Sequence, residues 1–389
     1  MATDEELDEM KVGLIGTGRI SDIYLSNCMK FEELDVVACA SLDMEEASDK
    51  AKRFNVPKVL KPEELLADGE IECVLNLTIP AAHFDISKAA LEAGKHVYSE
   101  KPFATSLDEG QQLLDLASAR HLLIGNAPDT FMGGRWQTVR RLIDSGVIGE
   151  PSGFTAHVGT HGVERHHPNP DFYYKEGGGP LLDLGPYYLT VLVFLFGSIT
   201  RVCGMSNRSA NTRLIENGPR YGETIDVEID THSLSLIEFD CGVMGSMTMS
   251  FDVWESEIPR LEIYGSEGSI CIPDLDPVHG ANNFDGPVWF RRRKDSRWEF
   301  QPRPTDRPEQ WHVAENRYGY NANYRGLGLR DLAQARDEKR EPKANGQLAF
   351  HVLEALIAIE ESARNQTNQE ILSTVTRPDP MPVDEDFVV

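Results

Sequence analysis

The sequence predicts an α/β protein in two parts, a doubly wound parallel sheet followed by a second α/β domain with a large, open, mainly antiparallel sheet. Three observations carry that prediction. At 389 residues the chain is too long for one ordinary core. Residues 11 to about 126 alternate short apolar runs with helical patterns across short links, as a parallel sheet with crossover helices requires. Beyond them, strand-like stretches follow one another, joined by turns such as Asp240-Cys241-Gly242 and Gly265-Ser266-Glu267-Gly268. The expected domains are therefore 1–126 and 127–389, with the last helix able to pack back toward the first domain.

In the first part, Lys11–Ile15 reads as a strand and Arg19–Lys30 as its helix, with Val36–Ala40 and Glu45–Phe54 the next pair. Cys73–Leu77 is a third strand, and Ala81–Ala93 a helix with Gly94 just beyond it for a C-cap. His96–Ser99 is a short strand, Ser106 N-caps a helix reaching Arg120, and Leu122–Ile124 ends the series. In the second part, Trp136–Asp144 is helical and Ser152–Val158 a strand, before a His-, Pro- and Gly-rich loop over 159–179. Leu181–Phe196 is a strongly apolar helix closed by Gly197. Strand-like stretches then cover Arg201–Arg208, Val227–Phe239, Val243–Phe251, Arg260–Tyr264 and Ser269–Ile272. Val243, Met247, Met249 and Phe251 alternate with small or polar residues, the pattern of a half-buried strand. Helices return at Gly328–Lys339 and Gly346–Arg364, before an extended tail rich in proline and acid.

Composition narrows the partners. Lys and Arg total 38 against 63 Asp and Glu, a formal net charge of −25. That excess repels phosphate backbones and anionic lipid, which argues against nucleic acid or a membrane surface. Met1–Met10 has neither the basic start nor the apolar core of a signal peptide. The longest strongly apolar stretch, Val191–Phe196, is too short to span a bilayer. Cys28, Cys39, Cys73, Cys203, Cys241 and Cys271 lie far apart without zinc-type spacing, so buried reduced thiols and a cytoplasmic location are expected.

Between the first strand and helix stands Gly16-Thr17-Gly18-Arg19-Ile20-Ser21. Glycine there permits a tight turn and close approach of backbone N–H groups to a pyrophosphate, and the helix N-terminus favours its charge. A side chain at Gly16 is expected to obstruct that approach. Ser21, in place of a third glycine, is small enough for close helix–sheet packing. Where an acid would hold the adenosine ribose at the end of the second strand, the chain has Ser41-Leu42-Asp43. No arginine follows to grip a 2′-phosphate, and Glu45 and Glu46 would repel one, so NAD is the expected cofactor, with NADP the alternative.

Tyr98-Ser99-Glu100-Lys101-Pro102 closely resembles the Glu-Lys-Pro signature of the glucose-fructose oxidoreductase/inositol dehydrogenase/rhizopine-catabolism (Gfo/Idh/MocA) family. Gly177-Gly178-Gly179-Pro180-Leu181-Leu182-Asp183-Leu184-Gly185-Pro186-Tyr187 resembles its second signature. The turn Asn76-Leu77-Thr78-Ile79-Pro80 with His83, and Asn323-Tyr324-Arg325-Gly326 with the last helix, are also similar, so the resemblance covers nearly the whole chain. It implies a Rossmann domain, an open antiparallel sheet behind the active site, and hydride transfer between a nicotinamide and a carbinol of a sugar or polyol. It places Gly16, Gly18, Arg19, Ile20, Ser41, Asp43, Thr78, Ile79, His83, Glu100 and Lys101 at the cofactor. Lys101 is implied to bond the reacting oxygen, with Asp183 and Tyr187 as catalytic partners on one helix face, four residues apart. Tyr187 stands where many members have His, which leaves the proton carrier open between tyrosine and lysine. Family members often form homo-oligomers, and one is expected here.

The loop Thr160-His161-Gly162-Val163-Glu164-Arg165-His166-His167-Pro168-Asn169-Pro170-Asp171-Phe172-Tyr173-Tyr174 mixes aromatic and polar groups suited to a sugar, with His167 and Tyr174 as the leading substrate contacts. Its histidines lack the helical spacing of a metal site, and no metal is expected. Two other readings compete with a dehydrogenase or reductase. One is an NAD-dependent glycosidase or eliminating enzyme that oxidises its substrate transiently. The other is a non-enzymatic sensor, against which Lys101, Asp183 and Tyr187 together argue.

Overall fold

A computed structural model describes residues 9–167, 169–273, 284–295 and 311–383. The start of the acidic N-terminus at 1–8, Pro168 of the polar loop and the end of the tail at 384–389 lie outside the described residues. The chain forms two compact units, each made from two stretches of sequence. One combines the chain up to Met132 with Asn323–Leu353; the other combines Gly133–Ala322 with the chain from Glu354 onward. The units thus do not follow a single cut after residue 126, because a late segment returns to the first.

The first unit runs β1 (Met10–Ile15), α1 (Ser21–Cys28), β2 (Leu34–Ala40), α2 (Met44–Phe54), β3 (Lys58–Leu60), α3 (Pro62–Ala67), β4 (Cys73–Asn76), α4 (Pro80–Glu92), β5 (His96–Ser99), α5 (Leu107–Arg120) and β6 (Ile124–Asn126). Among the described residues these strands form one parallel sheet, ordered β3-β2-β1-β4-β5-β6. Its central strands read as unbroken apolar runs because helices cover both faces: all four residues of β4 are buried. Ile15, Ala38, Val74, Val97 and Leu113 share one core. Ser106 N-caps α5, its side chain accepting from Glu109 N, and Gly94 follows α4 with φ +78°. The returning segment contributes α8 (Leu327–Glu338).

In the second unit come α6 (Gly134–Asp144), β7 (Pro151–Gly159), α7 (Pro180–Phe196), β8 (Ile199–Asn207), β9 (Thr212–Leu214), β10 (Thr224–Asp226), β11 (His232–Phe239), β12 (Met244–Ser250), β13 (Leu261–Gly265), β14 (Gly268–Ile272), β15 (Trp289–Arg292), β16 (His312–Val313) and β17 (Gln369–Glu370). α9 (Gly346–Asn365) precedes β17. Among the described residues a nine-stranded sheet runs β16-β15-β14-β13-β7-β12-β11-β8-β17. Its pairs are antiparallel except β7 with β12, which makes the sheet mixed. One face is covered: Phe196 of α7 packs on Phe154 and Phe239 of the sheet, ring centroids 6.0 and 5.5 Å apart. Met247, Met249 and Phe251 are buried, as their alternation predicts, while Met205, Leu234 and Leu236 are exposed.

Two expectations need correction. Cys241 is exposed at the Asp240–Gly242 turn and Cys203 is partly exposed, because a turn and the open sheet face leave them uncovered; the other four cysteines are buried. The short pair β3 and α3 was not foreseen. Three residues and six residues are too short to show a period.

Candidate active site

The strand order of the first unit reverses direction at β1 and β4, which makes the crevice beyond their C-terminal ends the natural nucleotide position. The predicted cofactor residues cluster there by strand: Gly16–Ile20 after β1, Ser41 and Asp43 after β2, Thr78 and Ile79 after β4, Glu100 and Lys101 after β5. The two glycines do different work. Gly16 has φ +102°, and a Cβ on it would lie 2.6 Å from the Leu77 carbonyl oxygen and 2.8 Å from Thr78 N. Its missing side chain therefore lets the turns after β1 and β4 meet. Gly18 is exposed, with nothing within 4 Å of a Cβ. Arg19 is exposed beside it and Ile20 is half-buried at the start of α1. Ser21 is fully buried and locks the turn, its Oγ donating to Gly18 O at 2.7 Å.

After β2, Asp43 caps α2: its Oδ1 accepts from Glu45 N at 3.0 Å and Glu46 N at 3.1 Å. Ser41 Oγ accepts from Asp43 N at 3.2 Å and can still donate. Leu42 is 96% exposed and Ile79 69%, two apolar side chains at the ends of β2 and β4. A flat, weakly polar adenine would cover such groups, so these residues fit a dinucleotide. The cations of α2 are engaged elsewhere, since Lys50 and Arg53 both pair with Asp22 and Lys52 pairs with Asp49.

The turn carrying Lys101 is held at almost every backbone polar group. Glu100 N donates to Asn76 O at 2.9 Å, and Asn126 Nδ2 donates to Ser99 O and Glu100 O, both at 3.0 Å. Glu100 itself is turned inward. Its Oε2 accepts from Lys101 N at 2.9 Å and its Oε1 from Tyr24 Oη at 2.9 Å, with Arg325 4.0 Å away. Buried and bonded on both carboxylate oxygens, Glu100 shapes the lysine turn from within. His83 is turned inward likewise. It is 1% exposed, with Nδ1 2.8 Å from Pro102 O and Nε2 3.0 Å from Thr78 O, so protein carbonyls take both ring nitrogens. Thr78 Oγ1 donates to Asn76 Oδ1 at 2.6 Å. Behind this turn, Asp129 Oδ2 accepts from Gly326 N at 2.8 Å and Gly328 N at 3.0 Å. Burial pushes its carboxyl up to about 6, against the opposing pull of those two N–H groups and of Arg325.

In the second unit, Asp183 lies in the first turn of α7, where a carboxylate complements the helix dipole, and is half-buried. Tyr187 is one turn further on, 7% exposed. Pro186 interrupts the helix between them, removing a backbone donor toward Leu182 O. Tyr174, expected at a substrate, is instead fully buried and donates its hydroxyl to Glu164, whose carboxylate also lies 3.6 Å from Arg213. Burial foremost, then Glu164, drives its phenol well above the usual range. His167 is partly exposed, its ring edge-on to Phe172 and Tyr173 at 5.6 and 5.4 Å. Nearby in sequence His161 stacks on Trp254, centroids 3.3 Å apart, and Trp254 is 63% exposed. Among the described residues no group of three or more His, Cys, Asp or Glu could hold a metal ion.

Sequence reasoning passed over Asn76, Asn126, Tyr24, Asp129 and Trp254. The asparagines could have been found: each ends a strand of a parallel sheet, where a buried amide has a turn to hold.

Residues 10–127 match the family model described as oxidoreductase family, NAD-binding Rossmann fold, and residues 136–271 match the GFO/IDH/MocA C-terminal domain. A dTDP-3,4-didehydro-2,6-dideoxy-alpha-D-glucose 3-reductase of Saccharopolyspora spinosa is 38% identical over 243 residues, 62% of this chain and 67% of the relative. The scyllo-inositol 2-dehydrogenase (NAD(+)) of Bacillus subtilis is 27% identical over 277 residues, 70% of this chain and 76% of the relative. With the uncharacterized oxidoreductase YdgJ of Escherichia coli, 32% identical over 201 residues, the match takes in 49% of this chain and spans about half of the relative, 54%. The structure of levoglucosan dehydrogenase in complex with NADH shares the fold, with TM-score 0.77 at 20% identity over 94% of this chain and 100% of that one. Family models over both parts of the chain, a relative of this identity and the glycine crevice lead to one conclusion: the chain belongs to the Gfo/Idh/MocA family of oxidoreductases and carries its NAD-binding Rossmann domain.

Proposed function

We propose that this chain transfers a hydride between NAD(H) and a carbinol or carbonyl carbon of a sugar, glycoside or cyclic polyol. The observation that carries the reading is the Lys101 turn, fixed by Asn76, Asn126 and Glu100 at the end of the strand beside β4. A lysine so anchored has a preset backbone. Relatives named as a sugar-nucleotide reductase and an inositol dehydrogenase support the substrate class. The nicotinamide, when bound, supplies the hydride chemistry. The protein must move the hydroxyl proton and stabilise charge on oxygen. In the first unit Lys101 is the candidate to donate a hydrogen bond to that oxygen; in the second, Tyr187 and Asp183 of α7 are the candidates for handling the proton.

The exposed Met205, Leu234 and Leu236 on the open sheet face support a homo-oligomer joined there, which light scattering on a sizing column would measure. Function is tested by screening free sugars, inositols and glycosides with NAD and NADP at the nicotinamide absorbance band. Lys101→Met should keep measurable NADH binding and lose turnover by roughly 10²-fold or more. Full turnover in that variant would remove Lys101 from the chemistry. A comparable loss in Tyr187→Phe assigns the proton to tyrosine; a normal Tyr187→Phe beside a dead Asp183→Asn takes that role from tyrosine.

A further inference from the structure

Thr78 ends the turn after β4, and Pro102 follows Lys101 in the turn after β5. The two turns are neighbours because their strands pair in register, Asn76 opposite Ser99. Between the carbonyl oxygens of Thr78 and Pro102 stands one rigid group, the His83 imidazole, with Nε2 3.0 Å from the first and Nδ1 2.8 Å from the second. The ring is 1% exposed, so water does not compete for either contact. Its own backbone is anchored too, since Asn76 Nδ2 donates to His83 O at 3.1 Å and to Ser87 Oγ at 3.1 Å. The Asn76 oxygen meanwhile accepts from Thr78 N at 3.2 Å and Thr78 Oγ1 at 2.6 Å.

We propose that His83 is a positioning residue that couples the cofactor-facing turn at Thr78–Ile79 to the Lys101–Pro102 turn. The inference rests on the reading that both turns face one nicotinamide dinucleotide. An imidazole has no internal torsion, so the spacing between the two carbonyls is set by the ring itself. A displacement of the Thr78 carbonyl on cofactor docking therefore reaches Pro102, one residue from the lysine. Whichever ring nitrogen carries the N–H donates to its carbonyl, and the rigid ring holds the other nitrogen against the second. Phenylalanine keeps the ring's bulk and offers no donor. Glutamine keeps an amide nitrogen that can donate to one of the two carbonyls, and asparagine carries that nitrogen one methylene nearer the backbone.

The test needs NADH alone. Its affinity is measured by nicotinamide fluorescence on the full chain for Thr78→Ala, Lys101→Met and their double variant, with His83, His83→Phe or His83→Gln at the third position. With His83 present, the double variant should depart from the product of the single effects by about threefold or more, the scale of coupled sites. With His83→Phe the product should hold, and His83→Gln should restore the departure. Should the Phe variant fail to fold in a thermal melt, His83→Asn replaces it, and the product is again expected to hold. An equal departure without the ring, or a product that already holds with His83, overturns the proposal. Failure of the functional reading shows elsewhere, as full turnover in Lys101→Met.

Discussion

Removing the Tyr174 hydroxyl would leave Glu164 and Arg213, 3.6 Å apart, in a buried patch with one donor fewer. Tyr174→Phe is expected to lower stability by about 1–3 kcal/mol, the cost of an unsatisfied buried acceptor, and to leave KM for substrate unchanged. A thermal melt beside steady-state kinetics separates the two, and a raised KM at unchanged stability would return Tyr174 to the substrate. The glycines divide in the same manner. Gly16→Ala meets the Leu77 carbonyl and a φ of +102°, so it should destabilise by about 1–3 kcal/mol. Gly18→Val should fold normally and weaken NADH binding, because its side chain enters open space where phosphate is expected. Melting temperatures and NADH titrations in parallel decide both. For cofactor choice, Leu42→Arg with Glu46→Ala should move preference from NAD toward NADP, since Lys50 and Arg53 of α2 are engaged by Asp22 and Lys52 by Asp49. Calorimetric titration in which the unmodified chain already prefers NADP would reverse that expectation.

At the scale of elements, the junction of Asp129 with the start of α8 carries a pH dependence. An unfolded aspartate titrates near ~3.9, whereas burial raises Asp129 to about 6. Between those values the folded chain holds more protons than the unfolded one, so this contribution to stability is full below the lower value. It is lost as pH rises through the upper, and two units correspond to roughly 3 kcal/mol. Asp129→Asn keeps an oxygen for Gly326 N and Gly328 N without the charge. Relative to the unmodified protein, it should gain melting temperature at pH 7.5 and little at pH 4.5. An equal gain at both values would assign the effect to something other than this carboxyl. Elements were legible in the sequence where a period had room to repeat. α5 and α7 declare themselves by a serine cap and a long apolar run, and β12 by alternation. β3, β9 and β16 are two or three residues long and carry no period. Site residues were legible where a glycine or a charged signature marks them. Burial decides whether His83, Glu100 and Tyr174 face a ligand or the protein, and burial depends on partners distant in sequence.

For the whole molecule, a net charge of −25 sets a background of self-repulsion. Monovalent salt screens it, so the melting temperature should rise between low salt and ~1 M, where the Debye length falls to about 3 Å. A flat response would mean that the described ion pairs already balance the surface locally. The parallel sheet could be read from alternation along the chain. The return of Asn323–Leu353 to the first unit was expected only through the family resemblance of Asn323-Tyr324-Arg325-Gly326 and the last helix, because no local pattern records which sheet a late helix joins.

That return has a consequence for how the protein is made. Asn27 Nδ2 donates to Asn323 O at 2.8 Å and Arg325 O at 2.9 Å, and Asn126 N donates to Ala344 O at 3.0 Å. While the chain is still on the ribosome, none of those acceptors exists when the β1–β6 sheet emerges. The nucleotide-binding half must wait, incompletely satisfied, through the synthesis of nearly two hundred further residues, an interval of roughly 10 to 40 s at ordinary elongation rates. A nascent chain arrested just after β6 should therefore be cut readily by protease, and become resistant only once the segment ending at Leu353 has cleared the exit tunnel.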